Sequence, residues 1–129
     1  MKGFTVYRDS ECVAFLDYRP LAIGHILLVP VVHYAELADV PDEVMCILGA
    51  RLRLLSQGVV SGMGAEGSFL ALNNRVSQSV PHAHFHIVPR RKGDGLFSRG
   101  LIWKRVSYRD DAERAETAER IRTALSQAP

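Results

Sequence analysis

The sequence predicts an α+β domain built on an antiparallel sheet of about five strands. Three observations carry this reading: short β-rich segments follow one another at small gaps, one long amphipathic segment interrupts them, and a charged, Ala-rich segment comes last. Strands that are neighbours in sequence pair as hairpins, whereas a parallel sheet needs a long crossover between each pair. The 129 residues match one domain, 1–129, with a core of its own.

Residues 4–8 (FTVYR) and 12–17 (CVAFLD) are rich in β-branched and aromatic side chains and flank the turn-forming DSE, so they read as a hairpin. Pro20 and Gly24 punctuate a loop, and HILLVP, residues 25–30, is a third strand closed by Pro30. Pro41 and Asp42 open a helix whose Val44, Met45, Leu48, Leu52, Leu55 and Val59 share a stripe about 100° wide, with Ile47 and Leu54 as a second flank. SGMGAEGS ends that helix, and FLALNN resumes strand character. From Asp110 to Gln127 the pattern is a second helix, acidic at its start where the helix dipole favours negative charge, with a thin apolar stripe.

Composition narrows the function classes. Apolar residues make up 47% of the chain, charged ones 23%, and the net charge is +2, which fits neither a disordered tail nor a strongly basic nucleic-acid binder. The start has no apolar region with a cleavage site, and no run approaches the length that crosses a bilayer, so a soluble cytoplasmic protein without a membrane partner is expected. Cys12 and Cys46 lie far apart and outside any Cys-x-x-Cys pattern; they read as free thiols, Cys46 on the polar side of the helix. GMGAEG lacks the Lys-Ser or Lys-Thr of a phosphate-binding loop. RRKGDG reads as a solvated turn, and Trp103 as an anchor for the tail or a subunit contact.

The chemistry concentrates in PHAHFHIVPR, residues 81–90. Alternate residues of a strand share a face, which puts His82, His84 and His86 on one side and Ala83, Phe85 and Ile87 on the core side. Three imidazoles in register are a poor match to a chance core histidine. Metal binding is one use, yet same-face neighbours lie about 6.7 Å apart, so one ion takes two of them and needs a further ligand such as His25. The other use is covalent catalysis at phosphorus. A neutral imidazole is a good nucleophile near pH 7, and its phosphorus–nitrogen adduct is open to water. The central His84 would attack, its neighbours would set its tautomer and bind phosphoryl oxygens, and Ser77, Gln78 and Ser79 would add hydrogen bonds.

HAHFHIV resembles the His-x-His-x-His signature of the histidine triad superfamily, and FLDYRPLAIGHILLVPVVHYAEL resembles the family's first half. All five histidines, His25, His33, His82, His84 and His86, fall on positions where the family commonly has one, and the resemblance covers about residues 4–96. It implies the family's α+β fold and a homodimer. It also implies an enzyme that hydrolyses or transfers nucleotides at an α-phosphate, acting on a phosphoramidate, an acyl-adenylate or a dinucleoside polyphosphate, with a purine nucleotide as substrate and no required cofactor. By resemblance His84 is the nucleophile, His82 and His25 support it, and His86 contacts phosphate. Gln78 and Ser79 touch phosphate and leaving group, Phe15, Leu16, Asp17 and Tyr18 line the base and ribose pocket with Asp17 on the ribose hydroxyls, and Asn73 is the substrate-binding asparagine. Three features depart from the pattern: NNRVSQS is shorter and has Arg75 where glycine is usual, the zinc-binding cysteine pair of many members is absent, and PRRKGDG replaces a Gly-Gly ending. These features leave the subfamily open between phosphoramidases and dinucleoside polyphosphate hydrolases. Two other readings stand beside this one, a nucleotide-binding scaffold with little turnover and a metal-dependent hydrolase using His82 and His84.

Overall fold

The computed structural model describes residues 4–97 and 104–127. Strands β1 (Thr5–Arg8), β2 (Cys12–Leu16) and β3 (Ile26–Pro30) are followed by helix α1 (Asp42–Met63), strands β4 (Gly67–Ala71) and β5 (Phe85–Arg90), and helix α2 (Asp111–Ser126). The five strands form one sheet in the order β1-β2-β3-β5-β4, and every neighbouring pair is antiparallel. This is the α+β architecture the strand succession predicts.

Both helices cover one face of the sheet. Val6, Cys12, Ala14, Leu16, Ile26, Leu28 and Ile87 point into that layer and meet Leu48, Leu55, Val59 and Met63 of α1 and Ala118 and Ile121 of α2. Each large aliphatic side chain buried there contributes about 1.5–3 kcal/mol. α1 has the length and apolarity of a membrane-crossing helix, which corrects the expectation that no run approaches such a length. Its stripe is nonetheless spent on the sheet and on α2. The helix stops at Gly64, whose left-handed backbone (φ 60°) brings its N–H to the carbonyls of Val60 and Ser61. α2 starts where Asp110 accepts a hydrogen bond from the Glu113 amide at 2.8 Å.

The opposite face carries the site. Across the strands Phe15 lies opposite Leu27, Leu27 opposite His86, and His86 opposite Ala71, so these side chains form one row on the face away from the helices. Val88, two residues on, packs there with Leu21 and Leu96 in a smaller cluster. Cys12 is buried and Cys46 exposed, both as free thiols. RRKGDG is a turn, with Gly93 and Gly95 at φ 75° and 77° and Asp94 paired to Arg90. Trp103 lies outside the described residues.

Candidate functional site

Only His86 belongs to the sheet. β5 begins at Phe85, so His82 and His84 precede the strand instead of sitting on it, contrary to the expectation of three histidines along one strand. The cause lies in the partner strand. Pro30 has no N–H to give a ladder, pairing of β3 with β5 stops at Leu28 opposite Phe85, and the chain before Phe85 turns to other backbone partners. The Ala83 amide donates to the Tyr34 carbonyl at 2.7 Å, and Ala83 is buried in the core while His82 and His84 border the cavities on the other side.

Each histidine has a distinct set of partners. His84 Nδ1 lies 2.7 Å from the His82 carbonyl; a carbonyl can only accept, so Nδ1 carries the proton and Nε2 the lone pair. His25 is fully buried, and its Nδ1 accepts the Leu21 amide at 2.9 Å, which puts the His25 proton on Nε2. That nitrogen lies 3.0 Å from His86 Nδ1 and donates to it, so His86 in turn holds its proton on Nε2. His82 uses its ring otherwise: Nε2 donates to the Pro30 carbonyl at 3.1 Å, and Nδ1 accepts the Tyr34 amide at 3.4 Å. His33 stacks on His82 and donates to the Pro81 carbonyl at 2.8 Å. His82 therefore holds His84 through its backbone carbonyl, and its imidazole fastens the segment to β3.

Burial is the main reason that His25 titrates well below the ordinary histidine range; His86 and Arg105 push it the same way. His86 is lowered to about 4, again chiefly by burial, then by His84, with Asp17 opposing. Both rings are neutral at pH 7.

His84 and His86 line a cavity of about 450 Å³ together with Asp17, Tyr18, Ser79, Val80 and Arg105. An adjoining apolar hollow of about 110 Å³ is lined by Phe15, Leu27, Val29, Val80, His82 and His84. His84 borders both, so a ligand with an anionic and a planar apolar part would present its junction at this ring.

Of the residues implied by resemblance, His84, His86, Asp17, Tyr18 and Ser79 gather on the larger cavity, Phe15 and His82 line the smaller, and His25 stands behind His86. Leu16 does not join them: alternation in β2 turns it into the core, where it is 2% exposed. Gln78 spends its side chain away from the cavity, donating to the Ala35 carbonyl of a segment distant in sequence and accepting the Arg75 amide of its own loop, both at 2.7 Å. In the asparagine pair it is Asn74 whose side chain bonds across to Leu37, at 2.9 Å; Asn73 is half-buried. The short loop reaches its conformation with Arg75 and Ser77 in left-handed backbone, φ 63° and 61°, where glycine would be unstrained.

Arg19, Leu27, Val29, Val80 and Arg105 line the two cavities without having been expected from the sequence, and Arg105 is the one whose side chain bonds Asp17. Its Nη1 donates to Asp17 Oδ2 at 2.9 Å and to the Arg19 carbonyl at 2.6 Å, while the other Asp17 oxygen accepts the Arg19 amide at 3.0 Å. No local pattern announces it, since it joins the site from a segment remote in sequence. The one cluster of metal-capable side chains among the described residues is Asp17, His25 and His86, not His82 and His84. In that cluster the facing nitrogens of His25 and His86 are already joined to each other.

The family model described as HIT domain matches residues 1–93. The chain is 31% identical to adenylylsulfatase HINT3 of Arabidopsis thaliana over 96% of its own length, and it spans 64% of that protein. It is also 31% identical to a bis(5'-nucleosyl)-tetraphosphatase of Schizosaccharomyces pombe, over 68% of this chain and 50% of that one. Among solved structures, a zinc-bound histidine triad family protein from Mycobacterium smegmatis superposes with a TM-score of 0.83 at 32% identity, covering 98% of this chain and 86% of that one. Signature, fold and matches agree: the chain belongs to the HIT domain family.

Proposed function

We propose that this protein is a nucleotide hydrolase or transferase that cleaves nucleoside monophosphate derivatives at the α-phosphate through a nucleotidyl-His84 intermediate. The observation that carries the reading is the 2.7 Å contact between His84 Nδ1 and the His82 carbonyl, because it leaves the Nε2 lone pair for attack. As Nε2 bonds to phosphorus, the bond from phosphorus to the leaving group breaks and the ring becomes cationic. The Nδ1–H···O=C bond then becomes charge-assisted and strengthens as the adduct forms. His86, with its proton on Nε2, hydrogen-bonds a phosphoryl oxygen or the departing atom and keeps that proton; a phosphate or sulfate leaves as its anion, and an amine takes its proton from solvent. Water next attacks phosphorus, the phosphorus–nitrogen bond breaks, the water's surplus proton passes to solvent, and the nucleoside monophosphate leaves neutral His84 behind.

In this reading the apolar hollow beside Phe15 takes a purine base, Asp17 shares its remaining lone pairs with the ribose hydroxyls, and Ser79 faces the phosphate. Relatives named for adenylylsulfate and dinucleoside tetraphosphate cleavage support a phosphoanhydride or related bond as the target. A homodimer and a cytoplasmic setting belong to the same proposal.

The test is incubation with adenosine phosphoramidate and with a dinucleoside polyphosphate in excess chelator. AMP release is expected, with a nucleotide adduct on His84 in quenched samples. His84→Ala should abolish release while AMP still binds. Binding without any turnover in the unaltered protein would move the reading to a scaffold, and loss of turnover on chelation would move it to a metal enzyme.

A further inference from the structure

Arg105 lies beyond residues 1–93, the part matched by the family model, yet it lines the cavity and is bonded to Asp17. Its consequence follows from the choice open to the His25 proton. His25 Nε2 has two acceptors in reach, His86 Nδ1 at 3.0 Å and Asp17 Oδ2 at 3.6 Å. A carboxylate is the stronger acceptor of the two, since hydrogen bonds to ionised groups are roughly twice as strong as neutral ones. Left uncompensated in a site this buried, Asp17 would draw the His25 proton toward itself. Arg105 occupies that same oxygen at 2.9 Å, and its second bond, to the Arg19 carbonyl, holds the guanidinium in place.

We propose that Arg105 is a positioning residue: by engaging Oδ2 of Asp17 it keeps the His25 Nε2–H directed at His86 and so holds the His86 proton on Nε2, the side from which His86 acts as a donor. The chain of contacts runs from Arg105 to Asp17, then to His25, then to His86. Its origin is a segment outside the family match, so the tail takes part in setting the state of the histidine pair. The kinetic consequence rests on the function proposed above; the tautomer itself does not.

The experiment uses the full chain labelled with 15N-histidine, read by long-range 1H–15N spectra that tell the two neutral tautomers apart, alongside steady-state kinetics on adenosine phosphoramidate. The unaltered protein should show His86 with its proton on Nε2. Arg105→Gln keeps a donor but removes the charge; it should shift His86 away from that tautomer and lower kcat by about tenfold or more with KM within about threefold. Arg105→Lys should restore the tautomer and bring kcat to within about threefold of the original. Adding Asp17→Asn to Arg105→Gln removes the competing carboxylate and should return the His86 signal even where nucleotide binding suffers. An unaltered His86 signal in Arg105→Gln overturns the proposal. So does a kcat loss of equal size in the Gln and Lys variants, which would mark Arg105 as a strap for the tail. If the unaltered protein releases no AMP, the proposed function fails, and the spectra still decide the role of Arg105.

Discussion

Lowering the pH should destabilise this protein through its buried histidine pair, in a window above the one where Asp9 and Asp94 lose their bonds. His86 titrates at about 4 in the folded chain, chiefly through burial, against about 6.5 when unfolded. The unfolded chain therefore binds more protons between those values, so the stability that a neutral His86 contributes is intact above pH 6.5 and declines as the pH falls toward 4. At pH 4.5 the linkage integral for one such group is about 2–3 kcal/mol, and His25, lowered in the same direction, adds to it. Asp9 and Asp94 act elsewhere on the pH scale. Burial pushes the Asp9 carboxyl up, but bonds from Tyr7, Arg51 and two backbone amides outweigh it, and Arg90 with backbone amides holds Asp94 down. Both lie well below the ordinary carboxylate range, so their contribution goes only below about pH 4. Urea unfolding at pH 7.5 and 4.5 should accordingly show a midpoint lower by roughly 1–2 M at the acid end. In His86→Gln, whose amide oxygen can still accept from His25, the drop should shrink by about 2–3 kcal/mol. Equal pH dependence in the two proteins would refute the neutral, buried state of His86.

Three further outcomes follow from local geometry. Gly62→Ala would set a Cβ 2.9 Å from the Arg120 carbonyl and 3.1 Å from Ile121 Cα, both backbone atoms of α2, and should cost about 1–3 kcal/mol; an unchanged Tm would contradict the close helix contact. Arg75→Gly relieves a left-handed residue whose side chain is 80% exposed in its pair with Glu36, so little is lost and stability should rise by about 0.5–1 kcal/mol in thermal denaturation; a fall would contradict the strain. His82→Ala leaves the Pro30 carbonyl and Tyr34 amide short of a partner, costing about 1–3 kcal/mol. It retains the backbone carbonyl that holds His84, so turnover should survive at a measurable level, whereas in His84→Ala it should not.

What could be read from the sequence was whatever depends on near neighbours. The alternation of CVAFL, the 3.6-residue stripe of α1 and the acidic start of α2 after Asp110 all appear in the structure because period and capping chemistry are local. Leu16, which the resemblance put in the pocket, lies in the core by the same alternation that puts Phe15 on the outer face. The departure of His82 and His84 from the sheet was not legible, because it depends on Pro30, a residue of the facing strand. Nor could Gln78 be separated from Ser79, since the bonds that draw Gln78 away go to Ala35 and Arg75 in a loop contact fixed only by folding.

A His-x-His-x-His spacing specifies three rings without specifying where their protons sit, and the protons decide whether a ring attacks, donates or merely fastens. Here backbone groups settle most of that: the Leu21 amide for His25, the His82 carbonyl for His84, the Pro30 carbonyl and Tyr34 amide for His82. Peptide groups do not titrate, so these partners stay in place wherever the fold does. The link from His25 to His86 differs, because an ionised carboxylate stands beside it as a rival acceptor. Arg105 is bonded to that rival, so a contact of the histidine network that is open to electrostatic change is tied to a residue outside the matched residues 1–93.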